Sequence, residues 1–293
     1  MIAAVVTFSA SSTIIRKAGA PGPTIAFWRM LGSSVIWTAL LRIKEGHFVT
    51  LQEWRRAAVT GVVLGLNILL FYTAATRTSV ANLEFISALA PLMLMPAGAL
   101  FFHEKVDRRA ALFGIISIGG LALVLFDAPK RGAATWPGNG LAMLSLATWC
   151  SYLLASRQLR RGMSVATLMA SALPIATVMT LPFVLVNGDI ARFDARSMGY
   201  IGILTVLTGV VAHGLIVYAQ RNVPIGIMSL IQVGQPALAV VWSAIFLSQS
   251  IRALQMLGMF LVVFGLATVV VQTQRRTARL MATENGELAG SAG

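Results

Sequence analysis

The sequence predicts an all-α polytopic membrane protein of ten transmembrane helices, arranged as two inverted five-helix repeats. Three observations predict it. Hydrophobic residues make up 57% of the 293 residues and charged residues only 11%, whereas a soluble domain carries about 25% charged residues. Charge-free apolar stretches recur along nearly the whole chain. The segments 81–101 and 226–246 also match one another at a fixed offset.

The apolar stretches run over 2–15, 24–41, 57–75, 82–102, 110–126, 138–156, 165–186, 198–219, 225–247 and 254–272. Most reach the ~20 residues that a helix needs to cross a bilayer core. A β-barrel would show alternating strands of about ten residues, so helices are the fit. The first stretch is short, spanning only about 22 Å at ~1.5 Å per residue. Ala18-Gly19-Ala20 offers small residues of the cleavage-site kind, but no positive residue precedes the apolar run and Arg16-Lys17 follows it. That order is the reverse of a signal peptide's. The stretch reads as a true first helix, with room for a start codon upstream.

The net charge of +13 comes from 23 Lys and Arg against 10 Asp and Glu. In a soluble protein this would suggest nucleic acid. Here the charges sit in short clusters between apolar runs, without a basic helix face or an aromatic-rich RNA motif, so they read as loops at a lipid surface. With the N-terminus inside, fourteen Lys and Arg fall on the inner side, eight on the outer side, and Arg29 within a span. The positive-inside rule then places both termini in the cytoplasm of a cell-membrane protein. Cys150 lies in an apolar run and reads as a packing residue. Residues 273–293 are polar and read as a disordered cytoplasmic tail.

Internal symmetry follows from the offset of 145. Pro91 matches Pro236, Ala99 matches Ala244, Phe101 matches Phe246, and Gly120-Leu121 matches Gly265-Leu266. The first repeat spans 1–127, an outer linker 128–137, and the second repeat 138–272. An odd number of crossings per repeat sets the second upside down relative to the first, with a solute site near the midplane between them.

Specific segments carry a family resemblance: Phe27-Trp28-Arg29 near the start of the second span, Thr76-Arg77-Thr78-Ser79-Val80-Ala81 leading into a span that bears Pro91, and Phe102-His103-Glu104-Lys105-Val106 after it. The second half adds Gln220-Arg221-Asn222-Val223-Pro224-Ile225-Gly226 and Gln235-Pro236. Together they resemble the drug/metabolite transporter superfamily in its EamA-type branch, over nearly the whole chain. The resemblance implies ten helices, inside termini, a central cavity opening alternately to each side, and export of amino acids or other metabolites. Ser248-Gln249 stands where the second half of such proteins often keeps a glutamate.

Charge within a span is costly and marks function. Arg29 and Glu84 lie in the outer third of their spans, where they can pair, gate the outer side or anchor a charged solute. A salt bridge between helices and snorkelling to the interface are the structural alternatives. The uncharged polar set comprises Asn67 with Tyr72, Trp149 with Tyr152, Gln232, Gln235 and His213; each serves equally as glue between helices. Trp28 joins the set beside Arg29. As a group they suggest a cavity that is polar, uncharged and walled by aromatics, suited to a zwitterionic or aromatic metabolite rather than a metal ion or phosphate. His213 is the candidate carrier of a coupling proton. Pro91 and Pro236 form a matched pair of bends or hinges, and Pro174 and Pro182 also interrupt a span.

The partners expected are therefore the lipid bilayer and a small-molecule substrate, with a coupling proton open and no cofactor. His47, His103 and His213 lie on different elements without metal spacing, and no Walker motif is present. No ring of charges or filter loop points to a channel. An uptake permease, an embedded enzyme, a channel and a transport-dead sensor are the alternatives.

Overall fold

A computed structural model describes residues 1–78, 80–104, 108–126, 136–186, 190, 194–247, 253–254, 256–265, 267–268 and 271. The outer linker other than Trp136 and Pro137, Ser248-Gln249, and the tail 273–293 lie outside the described residues.

Among the described residues the regular structure is all helical. Helices α1 (Ile2–Ser9) and α2 (Ser11–Ala18) form a first, bent rod. It runs past residue 15 because Arg16 and Lys17 occupy its last turn, where positive charge suits the helix dipole. Gly19, at φ 65°, then turns the chain. Helices α3 (Gly22–Glu45) and α4 (Leu51–Arg77) follow. A capping box starts α4: Thr50 N donates to Glu53 Oε2 at 2.7 Å and Glu53 N to Thr50 Oγ1 at 3.4 Å.

The fourth rod is broken into α5 (Val80–Ser87) and α6 (Ala90–Phe102); α7 (Arg108–Phe126), α8 (Trp136–Leu159) and α9 (Val165–Val186) follow. The eighth rod joins α10 (Ala195–Leu204), a π-helical segment (Thr205–Ala212) and α11 (His213–Ala219). The ninth is broken into α12 (Ile225–Gln232) and α13 (Gly234–Leu247). Helical residues within 253–271 belong to a tenth rod, in agreement with the ten apolar stretches.

Pro91 and Pro236 sit in the first turns of α6 and α13, just past the two breaks. A missing N–H is harmless there because those donors lack intrahelical partners. The breaks at Ala88 and Val233 repeat the offset of 145. Pro174 and Pro182, by contrast, do not interrupt α9, which runs through both.

Helices Gly22–Glu45, Leu51–Arg77, Val165–Val186 and Ala195–Ala219 are each long and apolar enough to cross a membrane, with mean hydropathy from 1.3 to 2.0. Leu100, Phe101, Val178 and Phe260 point outward with most of their surface exposed. Such a coat is stable against lipid and not against water. Inside, α4 packs against α8 and α9, and α3 against α9. A Cβ on Gly61 would lie 2.7 Å from Ala172 O, and one on Gly65 2.9 Å from Ala176 O, so two glycines one turn apart let α4 and α9 touch backbone to backbone.

One end of the bundle is tied shut. His103, at φ 54°, ends α6 and presents the Glu104 carboxylate to the start of α12. Glu104 accepts from Ile225 N at 2.9 Å and Gly226 N at 3.4 Å, and its Oε1 pairs with Arg157 Nη2 at 2.5 Å. Arg157 Nη1 donates in turn to Gln220 O and Val223 O. Both Arg157 and Arg161 lie over the Phe102 ring. At the same end Glu45 accepts from the hydroxyls of Ser164 and Thr167, holding α3 to α9.

Candidate functional site

The site grows from one face of α3. Arg29, Ser33 and Trp37 recur every four residues and all reach the π-helical segment. Arg29 Nε donates to Thr208 Oγ1 at 2.8 Å, Ser33 Oγ to Thr205 O at 3.5 Å, and Trp37 Nε1 to Gly209 O at 3.2 Å. Gly209 makes the approach possible, since a Cβ there would lie 1.9 Å from Ser33 Oγ. A π-helix bonds i to i+5, and such segments concentrate at functional sites. Here it lets Thr208 and His213 face the same guanidinium.

His213 Nδ1 is contested. Thr208 O lies at 2.6 Å and can only accept; Arg29 Nη2 lies at 3.2 Å and can only donate. The shorter contact favours Nδ1–H donating to Thr208 O. Nε2 is then a bare acceptor, buried and without a hydrogen-bond partner. Phe8 of α1 packs edge-on to the imidazole, with ring centroids 4.9 Å apart.

These groups line a central cavity whose walls also include Asn67 and Tyr72 of α4, Glu84 of α5, Ser145 and Trp149 of α8, and Gln232, Gln235 and Pro236 of the ninth rod. Asn67 Nδ2 donates to Ser145 O at 2.9 Å and so ties α4 to α8. Trp149 Nε1 donates to Gln232 Oε1 at 3.2 Å and ties α8 to α12. The Arg29 guanidinium stands 5.7 Å from the Tyr72 ring centroid.

Nine of the twelve residues singled out in the sequence line this cavity: Arg29, Asn67, Tyr72, Glu84, Trp149, His213, Gln232, Gln235 and Pro236. Three do not. Trp28 points the other way and donates from Nε1 to Ile190 O at 2.8 Å. Tyr152 is buried behind Trp149, with its hydroxyl against Met169 Sδ. Pro91 sits in the first turn of α6, one turn beyond Ser87 of the lining.

Arg29 and Glu84 share the cavity, yet no ion pair joins them among the described residues. Arg29 does not snorkel either, being 1% exposed. Arg29 Nη1, Glu84 Oε2, His213 Nε2 and Gln232 Nε2 are all buried without a hydrogen-bond partner. The cavity is therefore charged, where the sequence suggested an uncharged one. Phe8 and Thr208 were missed. Phe8 carries no polar signal, and Thr208 stands five residues from His213, a spacing that places two side chains on different faces of an ordinary α-helix.

The EamA-like transporter family model matches the chain twice, over residues 1–126 and 136–271. The uncharacterized transporter YxxF of Bacillus subtilis strain 168 is 21% identical over 285 residues, covering 94% of this chain and 89% of the relative. The uncharacterized inner membrane transporter YhbE of Escherichia coli K12 is 23% identical over 263 residues, covering 83% and 80%. The pseudopaline exporter CntI of Pseudomonas aeruginosa is 22% identical over 207 residues, covering 69% and 71%. A crystal structure superposes with a TM-score of 0.78 at 14% identity, covering 92% of this chain and 96% of the other, and so shares the fold.

Proposed function

Because the chain belongs to the EamA-like transporter family, we propose that it exports a small polar metabolite, an amino acid, a related compound or a drug, by alternating access through the central cavity. The observation that carries this reading is the cavity itself. A charged chamber with four unpartnered polar atoms, enclosed by apolar helices, has its chemistry incomplete until a solute enters. The name of the Pseudomonas relative, an exporter, supports the outward direction.

Two inverted repeats supply the motion in this reading. The double match of the family model supports the division into 1–127 and 138–272, and the paired breaks before Pro91 and Pro236 support matched hinges. With both termini in the cytoplasm, the Glu104 end is the cytoplasmic one, and it must open during each cycle. In this reading the buried, unpartnered Nε2 of His213 is the atom on which a coupling proton would be carried.

Reconstitution in liposomes tests the reading. Saturable uptake into liposomes preloaded with unlabelled solute, with trans-acceleration, is expected for an alternating-access carrier. Flux that rises linearly without counterflow would replace it with a channel. Inside-out vesicles that accumulate the solute establish export, and right-side-out accumulation would reverse the direction. Proton dependence that survives His213→Gln would remove His213 from coupling.

A further inference from the structure

We infer that the chamber wall holds a site for a small monovalent cation, sodium, formed by the Glu84 carboxylate of α5 and the Ser12 hydroxyl of α2, where the first rod meets the break in the fourth. This goes beyond the transporter reading above and uses none of the atoms that reading gives to a proton.

Glu84 is 3% exposed and lines the chamber, and a buried charge without compensation is costly. The fold itself has no use for it. Glu84 sits in the last turn of α5, where the helix dipole disfavours negative charge. No ion pair reaches it among the described residues, because the Arg29 guanidinium is held on the π-helical wall by Thr208. The offset of 145 places Ser229 at the matching position of the ninth rod. Ser229 is fully buried and bonds its own hydroxyl to Gly226 O. The ninth rod thus breaks at Val233 without any charge at this position.

The surroundings of Glu84 are oxygen-rich. The Ser12 hydroxyl lies beside the carboxylate. Ser12 Oγ and Glu84 Oε2 are both buried without a formed hydrogen bond, and Ser11 joins Glu84 in the chamber lining. Helix α5 ends at Ser87, one turn beyond Glu84, and Pro91 has no N–H to give to Ser87 O. Free carbonyls at the C-terminal end of a broken membrane helix carry negative potential and are a recurrent means of holding sodium. Oxygen donors alone suit a hard cation. One carboxylate balances one positive charge, whereas a divalent ion would add to the charge of Arg29 in the same chamber. No group of three metal-ligating side chains exists among the described residues to hold such an ion. A proton completes a single oxygen and leaves the others unused; sodium gathers several at once.

The test is equilibrium binding of radiolabelled sodium to purified full-length protein, with choline as the inert cation at constant ionic strength and no solute present. A single saturable class of site is expected. Glu84→Gln should abolish it, and Arg29→Gln, which removes a like charge from the chamber, should retain it. Ser12→Ala should weaken binding roughly fivefold, the worth of one neutral contact. Absence of saturable binding to the wild-type protein overturns the inference, as does binding that survives Glu84→Gln. Where Glu84→Gln folds poorly, Ser12→Ala decides, and an affinity equal to wild type removes the site from this junction. Acid that raises the melting temperature in choline as far as sodium does at neutral pH, with no sodium retained, assigns Glu84 to a proton and also overturns the inference. Binding is read without a gradient or a transported solute, so its failure leaves the transporter reading standing. Absence of counterflow strikes at that reading and not at the sodium site.

Discussion

Replacing Glu104 with glutamine should loosen the tied end of the bundle by about 2–3 kcal/mol. The magnitude follows from burial and geometry. The Arg157 and Glu104 side chains retain 16% and 12% of their exposure and meet at 2.5 Å. A fully exposed pair is worth about 0–1 kcal/mol, and breaking a fully buried one costs about 3–5 kcal/mol. This pair lies between the limits and nearer the buried one. The amide of glutamine still offers an oxygen to Ile225 N, so the cap on α12 weakens without disappearing; charge-assisted bonds are about twice as strong as neutral ones. A change of that size shifts a closed-to-open equilibrium by roughly 30- to 150-fold. Ile225 is fully buried in the closed end, so Ile225→Cys in a Cys150→Ala background reports opening by reacting with a membrane-impermeant maleimide. Inside-out vesicles of the Glu104→Gln variant are expected to label much faster than the unmodified background. An unchanged rate, or acceleration only in right-side-out vesicles, would refute the assignment of this pair as the latch of the cytoplasmic side.

Gly209→Ala should destabilise the protein by about 1–3 kcal/mol through overpacking, because the new methyl meets Ser33 Oγ at 1.9 Å; adding Ser33→Ala relaxes the nearest contact to 3.1 Å and should recover part of the loss in a detergent melting curve. Asn67→Ala removes the tie to Ser145 and should cost about 0.6–1.7 kcal/mol of stability, so a variant that loses that much in a melting curve yet binds solute normally would show Asn67 to be glue alone. His47 lies on the exposed turn after α3. Its contact with Phe48 O, then the Glu53 and Glu45 carboxylates, hold its pKa above the ordinary 6.5. Its stabilising contribution is therefore complete below about pH 6.5 and fades as pH rises through the raised folded value. His47→Gln should flatten that part of the melting-temperature profile, and an unaltered profile would dismiss the contact.

The sequence revealed different parts of the molecule to different degrees, for physical reasons. Helix α9 coincides with the stretch read at 165–186 because its apolar run is uninterrupted and Ser164, which accepts from Thr167 N, marks its start. The first rod was underestimated because Arg16 and Lys17 look like a loop in a hydropathy reading, although long basic side chains extend readily from a helix end to an interface. The breaks in the fourth and ninth rods were legible only through Pro91 and Pro236, since the residues at the breaks, Ala88 and Val233, are themselves apolar. Arg29 and Glu84 stood out because charge inside a span has few innocent explanations. Their failure to pair did not stand out, since it depends on Thr208 claiming the guanidinium. Residue type alone nominates Trp28 and Tyr152, but helix rotation decides whether a ring faces a chamber or a neighbouring helix, and tertiary packing fixes that rotation.

The π-helical stretch amounts to one surplus residue stored in the wall of the chamber. In a regular α-helix Thr208 and His213 would stand about 140° apart around the axis. Deleting Val206 or Leu207, which leaves the five-residue spacing of Thr208 and His213 intact, would let that wall wind normally and keep its length nearly unchanged, while the imidazole swung away from the guanidinium. A one-residue deletion, ordinarily ruinous within a membrane helix, would here disconnect the chemistry and leave the scaffold standing.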